Sequence, residues 1–215
     1  RLPAGDQRHP GDPRGLVRDR GAAGLSRPAS QDGPGLWGDE PAGSPGRDAT
    51  PARDAAPAPA GGPTLIIRTD GAARGNPGPA SCGAVLVDAA GGAAARRSDA
   101  SPLASISDFL GVQTNNVAEY TGVVRALALA RELGASEVEL LLDSLLIVEQ
   151  LHGRWRVKDA KLIPLHAEAR RLLVGFRRWG AAHVPRAENH AADALANEAL
   201  DRVRTGGPAS VVRRP

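Results

Sequence analysis

Methionine is missing from all 215 residues, so no translation start is marked, and cysteine occurs once, at Cys82. A lone cysteine excludes an internal disulfide and fits a reducing compartment, so a cytoplasmic setting is expected. Cys82 sits in the apolar run Ala80 to Val87, where packing accounts for it better than reactivity. No run approaches the ~20 apolar residues of a membrane span. No basic-then-apolar leader opens the sequence, so no membrane partner is expected. Charge is nearly balanced, with a formal net charge of +3.

Residues 1–63 lack any apolar period and hold 11 proline and 12 glycine. Their few large apolar residues (Leu2, Leu16, Val17, Leu25, Leu36, Trp37) stand apart. Such a stretch cannot bury enough surface to offset its ordering entropy, so a disordered N-terminal extension is expected over 1–63. Its eight Lys/Arg against eight Asp/Glu make it a poor electrostatic arm. Residues 64–204 carry periodic apolar runs, and roughly 140 residues suffice for one core. The end, 205–215, is short and bears Pro and Gly, so a flexible tail is expected.

Within the core region, Thr64 to Thr69 reads as a strand, followed by the turn-rich Asp70-Gly-Ala-Ala-Arg-Gly-Asn-Pro-Gly-Pro. Ser81–Val87 completes a hairpin, and a third strand is expected within Ala93–Ser107. Asn115-Asn116 opens a helix with Val117, Tyr120, Val124, Leu127 and Leu133 at helical spacing, closed by Gly134. Glu137–Leu142 is a strand ending at Asp143, and a helix follows over Ser144–Leu151. A helix over Ala160–Val174, a strand over Phe176–Val184 and a helix over Glu188–Arg204 complete the pattern β-β-β-α-β-α-α-β-α. That order predicts an α/β protein, a mixed sheet with helices packed on it.

Four acids occupy strand ends or helix starts: Asp70, Glu119, Asp143 and Asp193. If the strands ending at Asp70 and Asp143 are neighbours, the two carboxylates come side by side. Such a cluster repels itself without a cation, and hard oxygen donors suit Mg²⁺ or Mn²⁺ over zinc. Two ions about 3.5–4 Å apart would clamp the attacking and leaving oxygens of a phosphodiester displacement. Each acid also has a local reading. Glu119 completes a capping box with Asn116, Asp193 favours a helix N-terminus, Asp143 caps a helix, and Asp70 steadies a turn. Charge placement adds context. Residues 154–186 hold nine Lys/Arg against two acids, whereas 132–149 hold five acids and no base, an arrangement fit for metal chemistry on a polyanion.

From Leu65 to about Asp201 the chain resembles type I ribonuclease H in its compact bacterial and archaeal form. The resemblance rests on TDGAARGNPGPA (69–80), TNNVAEY (114–120), LLDS (141–144) and HVPRAENHAADALAN (183–197). It implies a ribonuclease H-like fold with a mixed five-stranded sheet and helices on both faces. It also implies hydrolysis of the RNA strand of RNA–DNA hybrids with two Mg²⁺ or Mn²⁺ ions, giving 5′-phosphate and 3′-hydroxyl ends. Asp70, Glu119, Asp143 and Asp193 match the metal-binding carboxylates. His183 matches a histidine that moves a proton or aids product release, and Arg186 an arginine near the scissile phosphate. Asn76, Asn115 and Asn116 match residues that contact the nucleic acid, and short polar side chains of this kind suit the 2′-hydroxyls of a hybrid's minor groove. Two departures stand out. A basic, Trp-rich handle of larger relatives is reduced to Arg154–Lys161, leaving Trp155, Lys158 and Lys161 as candidate substrate contacts. Leu145 replaces a polar substrate contact of many relatives. A monomer is expected, and the rival reading is a non-catalytic nucleic-acid-binding module of the same fold.

Overall fold

The structure is a computed structural model that describes residues 61–214. The extension expected over 1–63 therefore lies outside the described residues up to position 60. Its last residues belong to the domain. Ser136 Oγ donates to the Gly62 carbonyl at 2.6 Å, and the Ser136 amide donates to the Pro63 carbonyl at 3.0 Å.

In chain order the elements are β1 (Thr64–Ala73), β2 (Gly78–Asp88), β3 (Ala104–Gln113), α1 (Asn115–Glu132) and β4 (Glu137–Leu142). Then come α2 (Leu145–Leu151), α3 (Leu162–Val174), β5 (Arg178–His183), α4 (His190–Arg204) and β6 (Ser210–Arg213). The sheet runs β5-β4-β1-β2-β3-β6. β1 pairs antiparallel with β2 and parallel with β4, and β5 lies parallel to β4 through the α2–α3 crossover. Leu65, Ile67, Leu86, Ile106, Leu140 and Leu142 project to one face, where they form the main core with Tyr120, Val123 and Leu127 of α1 and Leu173 of α3. On the opposite face α4 lies against β1, β2 and β3. Among the described residues no helix is long and apolar enough to cross a membrane.

Three expectations are corrected. The sheet has six strands, not five, because the expected flexible tail contributes β6, which pairs antiparallel with β3 from Ser105↔Arg213 to Asp108↔Ser210. β6 is only four residues long, too short to show an apolar period, and Ser210 Oγ donates to Asp108 Oδ1 at 2.5 Å. β3 starts eleven residues after its expected start at Ala93, beyond a segment of short 3₁₀ turns at Ala89–Gly91 and Ala94–Arg96. Both of its faces are covered, and buried Ser105 and Ser107 break the apolar reading; Ser107 Oγ donates to the Leu195 carbonyl of α4. Finally, Asp70 lies inside β1 instead of after it. The strand continues to Ala73 because Gly71, Ala72 and Ala73 pair with Cys82, Ser81 and Ala80.

Two glycines let the helices come close to this strand pair. A β-carbon at Gly71 would overlap the Glu119 backbone of α1, and one at Gly83 would overlap the Ala192 carbonyl and Ala196 amide of α4. Asp70 and Gly83 face each other across β1 and β2. The two helices thus pinch the hairpin from opposite sides beside Asp70.

Candidate active site

Thr69 of β1 and Leu142 of β4 are the last register partners of the two parallel strands, so Asp70 and Asp143 lie side by side where that pairing ends. α1, pressed close at Gly71, brings Glu119, and α4 brings Asp193 from its first turn. All four acids line one cleft of about 390 Å³, together with Asn115, Arg186 and Asn197.

The local readings of these acids fare unevenly. α1 is capped by Thr114, whose Oγ1 accepts from the Val117 amide at 3.4 Å. Glu119 lies two residues past Val117, the position a capping-box acid would occupy, and instead accepts from Asn115 Nδ2 at 2.7 Å. Asp143 precedes Ser144, the N-cap of α2, and its Oδ1 accepts from Asn189 Nδ2 at 2.8 Å. Asp193 does sit in the first turn of α4, where an acid is favoured. Its Oδ1 accepts from Arg186 at 3.0 Å and its Oδ2 from Asn197 at 3.1 Å.

Asp70 is the most constrained. Its Oδ1 accepts from the Gly71 amide at 2.8 Å, whereas its Oδ2 is buried with no hydrogen-bond partner among the described residues. Burial, reinforced by the negative charge of Asp143, pushes its carboxyl up to about 7. Burial likewise raises Glu119, against a lowering hydrogen bond from Ser144. The hydrogen bond to Asp193, with the nearby charge of Asp70, holds the Arg186 guanidinium above its ordinary value. A buried carboxylate oxygen without a donor, facing further carboxylates, fits a hard divalent cation. As the side chains stand, no three Asp, Glu, His or Cys groups among the described residues converge on a common point.

Other expected residues fall nearby or apart. His183 is exposed at the end of β5, with Nε2 3.2 Å from the Asp143 carbonyl. Asn76 is exposed in the β1–β2 turn, where its Oδ1 accepts from the Asn115 amide at 3.2 Å. Asn116 is exposed in the first turn of α1. Trp155, Lys158 and Lys161 lie in the α2–α3 connection and do not line the cleft. Leu145 is 45% exposed at the start of α2. Sequence reasoning missed Asn189, which is fully buried and donates both to the Thr69 carbonyl at 2.9 Å and to Asp143. An Asn before a helix reads as a cap, yet its side chain makes no capping bond.

A mixed α/β sheet with helices on both faces, and acids gathered at the ends of its two central parallel strands, is the ribonuclease H-like fold. Comparison with known proteins agrees. The reverse transcriptase-like family profile matches residues 68–199. Ribonuclease HI of Halobacterium salinarum is 48% identical over 132 residues, covering 61% of this chain and 62% of that protein. The bifunctional protein Rv2228c of Mycobacterium tuberculosis is 45% identical over 137 residues, covering 64% of this chain and 35% of that protein. The solved structure of LC11-RNase H1 in complex with an RNA/DNA hybrid is 38% identical with a TM-score of 0.58, covering 65% of this chain and 99% of that one. The chain belongs to this family and, within it, to the type I ribonucleases H. It spans less than two thirds of the length of these two curated relatives.

Proposed function

We propose that this domain cuts the RNA strand of RNA–DNA hybrids at internal positions, using two Mg²⁺ or Mn²⁺ ions and leaving 5′-phosphate and 3′-hydroxyl ends. The observation that carries this reading is Asp70, whose Oδ2 is buried without a donor and which lines a cleft with three further acids. Binding alone gives no reason to bury a carboxylate among like charges. The relative solved with an RNA/DNA hybrid supports the substrate class.

In this reading Asp70, Glu119, Asp143 and Asp193 hold the ions. When bound, the ions supply an activated nucleophile and take up charge on the leaving oxygen. The chain's other residues bind and orient. Asn189 fixes the Asp143 carboxylate by donating to its Oδ1. Arg186, paired with Asp193 and exposed at the cleft, faces the scissile phosphate. His183 stands beside Asp143 and moves a proton at the cleft mouth. Asn76, Asn115 and Asn116 meet the 2′-hydroxyls and bases of the minor groove. Trp155, Lys158 and Lys161 grip the strands outside the cleft by stacking and phosphate contact. A monomeric protein of a reducing, cytoplasmic setting suits the buried, unpaired Cys82.

The test is incubation with end-labelled RNA–DNA, RNA–RNA and DNA–DNA duplexes in Mg²⁺, Mn²⁺ or chelator. Internal cuts confined to the RNA strand of the hybrid, abolished by chelator, are expected. Binding without cutting in either metal would favour a non-catalytic module instead.

A further inference from the structure

Two residues before Asp70, on the same face of β1, lies an arginine with no obvious reason to be there. Arg68 is only 2% exposed. Its neighbours across the sheet are Val85 and Leu141, and Ile66 precedes it on that face. An apolar side chain would fill such a position without placing a cation in the interior, where charge is poorly solvated. Among the described residues its bonded partners are backbone carbonyls and not carboxylates. Nη1 donates to the Glu188 carbonyl at 3.0 Å, and Nη2 donates to the Arg96 carbonyl.

Those two carbonyls belong to different excursions of the chain. Arg96 ends the second 3₁₀ turn between β2 and β3, and Glu188 ends the 3₁₀ turn Arg186–Glu188 between β5 and α4. The Arg186–Glu188 turn carries Arg186 at one end, and Asn189 follows it directly. The turn's own backbone bonds, Glu188 N to the Pro185 carbonyl and Asn189 N to the Arg186 carbonyl, are internal and do not tie it to the sheet. Two side-chain bonds to β1 do so. Arg68 holds the carbonyl of residue 188, and Asn189 donates to the carbonyl of residue 69. Successive residues of β1 thus grip successive residues of the turn, directly before Asp70.

We propose that Arg68 is a positioning residue: by holding the Glu188 carbonyl it sets the turn that presents Arg186 and Asn189 to the carboxylates of the cleft. The inference rests on the function proposed above and adds a residue to it. A five-donor guanidinium reaches both carbonyls from one buried site, which a lysine ammonium or an apolar chain of equal length does not.

The test uses Arg68→Met, Arg68→Lys, Arg186→Ala and the Arg68→Met/Arg186→Ala double variant of the full chain. In Mg²⁺, Arg68→Met is expected to lower kcat about tenfold or more with KM within about twofold, because the groove contacts at Asn76, Asn115 and Asn116 are untouched. Arg68→Lys, which keeps the charge and can reach one of the two carbonyls, falls between it and the parent, and carries the test alone if Arg68→Met does not fold. The double variant falls below Arg186→Ala by clearly less than the loss Arg68→Met causes in the parent, since only the share carried through Asn189 remains. In the metal-free protein, hydrogen exchange at the Glu188 and Asn189 amides quickens tenfold or more, while amides of β1 and β4 keep their protection. An unchanged kcat, losses that multiply in the double variant, or an exchange increase spread evenly over the domain would overturn the proposal. If the parent cuts no hybrid, the proposed function fails, and exchange at residues 188 and 189 still decides the role of Arg68.

Discussion

Replacing Asp70 with asparagine isolates the electrostatic strain of the acid cluster from the rest of the fold. The carboxyl titrates near 7 in the folded protein against 3.8 for an unburdened aspartate, because burial and then Asp143 oppose its charge. A raised carboxyl pKa means that the folded state binds the proton more tightly than the unfolded chain. The group therefore leaves stability intact below about pH 4, erodes it as pH rises towards 7, and exerts its whole penalty above that. A shift of this size corresponds to at most ~4 kcal/mol. Repulsion shared with Asp143 is only partly relieved by one neutralisation, so a gain of about 1–3 kcal/mol is expected. Asparagine retains an Oδ1 to accept from the Gly71 amide, now at 2.8 Å, so the backbone contact survives. For a domain of this size the gain is a rise of about 3–10 °C in melting temperature. The assay is thermal unfolding of both proteins in chelator from pH 4 to 8.5. The two curves should coincide near pH 4 and diverge through neutrality, with the variant higher. Added Mg²⁺ should narrow the gap by stabilising the parent alone. Parallel curves at every pH, or a variant less stable at pH 8, would refute the assignment of strain to Asp70.

Asp143→Asn keeps an acceptor for Asn189 Nδ2 and should melt within a few degrees of the parent, while hybrid cleavage falls about 100-fold or more; the paired measurements are thermal unfolding and initial rates. His183→Ala should slow cleavage by no more than about 100-fold, the low end for a positioned proton carrier, and leave Mg²⁺ titration by calorimetry unchanged. Removing residues 208–215 deletes β6, strips Asp108 of its bond from Ser210 Oγ and Glu198 of its pairing with Arg213, and reopens the β3 edge. It should lower the melting temperature by several degrees, at about 1 kcal/mol for each lost hydrogen bond, without altering hybrid cleavage at 25 °C.

The acids were visible in the sequence because they stand beside strong punctuation. Asp70 opens a glycine-rich turn motif, Asp143 ends the apolar run Glu137–Leu142, and Glu119 and Asp193 lie in the first turns of amphipathic segments. Elements with one apolar face were found for the same reason, and β4 was delimited to the residue. β3 was placed too early and β6 was missed: buried Ser105 and Ser107 interrupt the apolar pattern of β3, and β6 is only four residues long. Arg68 and Asn189 escaped for a related reason. A buried polar side chain that satisfies a distant carbonyl has no periodic signature, since its partner lies 120 residues away in each case. Trp155, Lys158 and Lys161 are candidate contacts because their segment stands where larger relatives carry a basic handle, and they lie in the α2–α3 connection outside the cleft.

The pinch at Gly71 and Gly83 has a consequence for how freely the molecule can vary. Every acid in the cleft is borne on a strand end or a helix flank, and the spacing between those elements is set by two missing side chains. Layer thickness, and not loop length, acts as the gauge. A connection such as 152–161 can then shrink or grow between α2 and α3 while the carboxylates keep their separation. Under the proposed function, a grip carried on that connection is an interchangeable attachment, and the placing of the carboxylates a property of the frame.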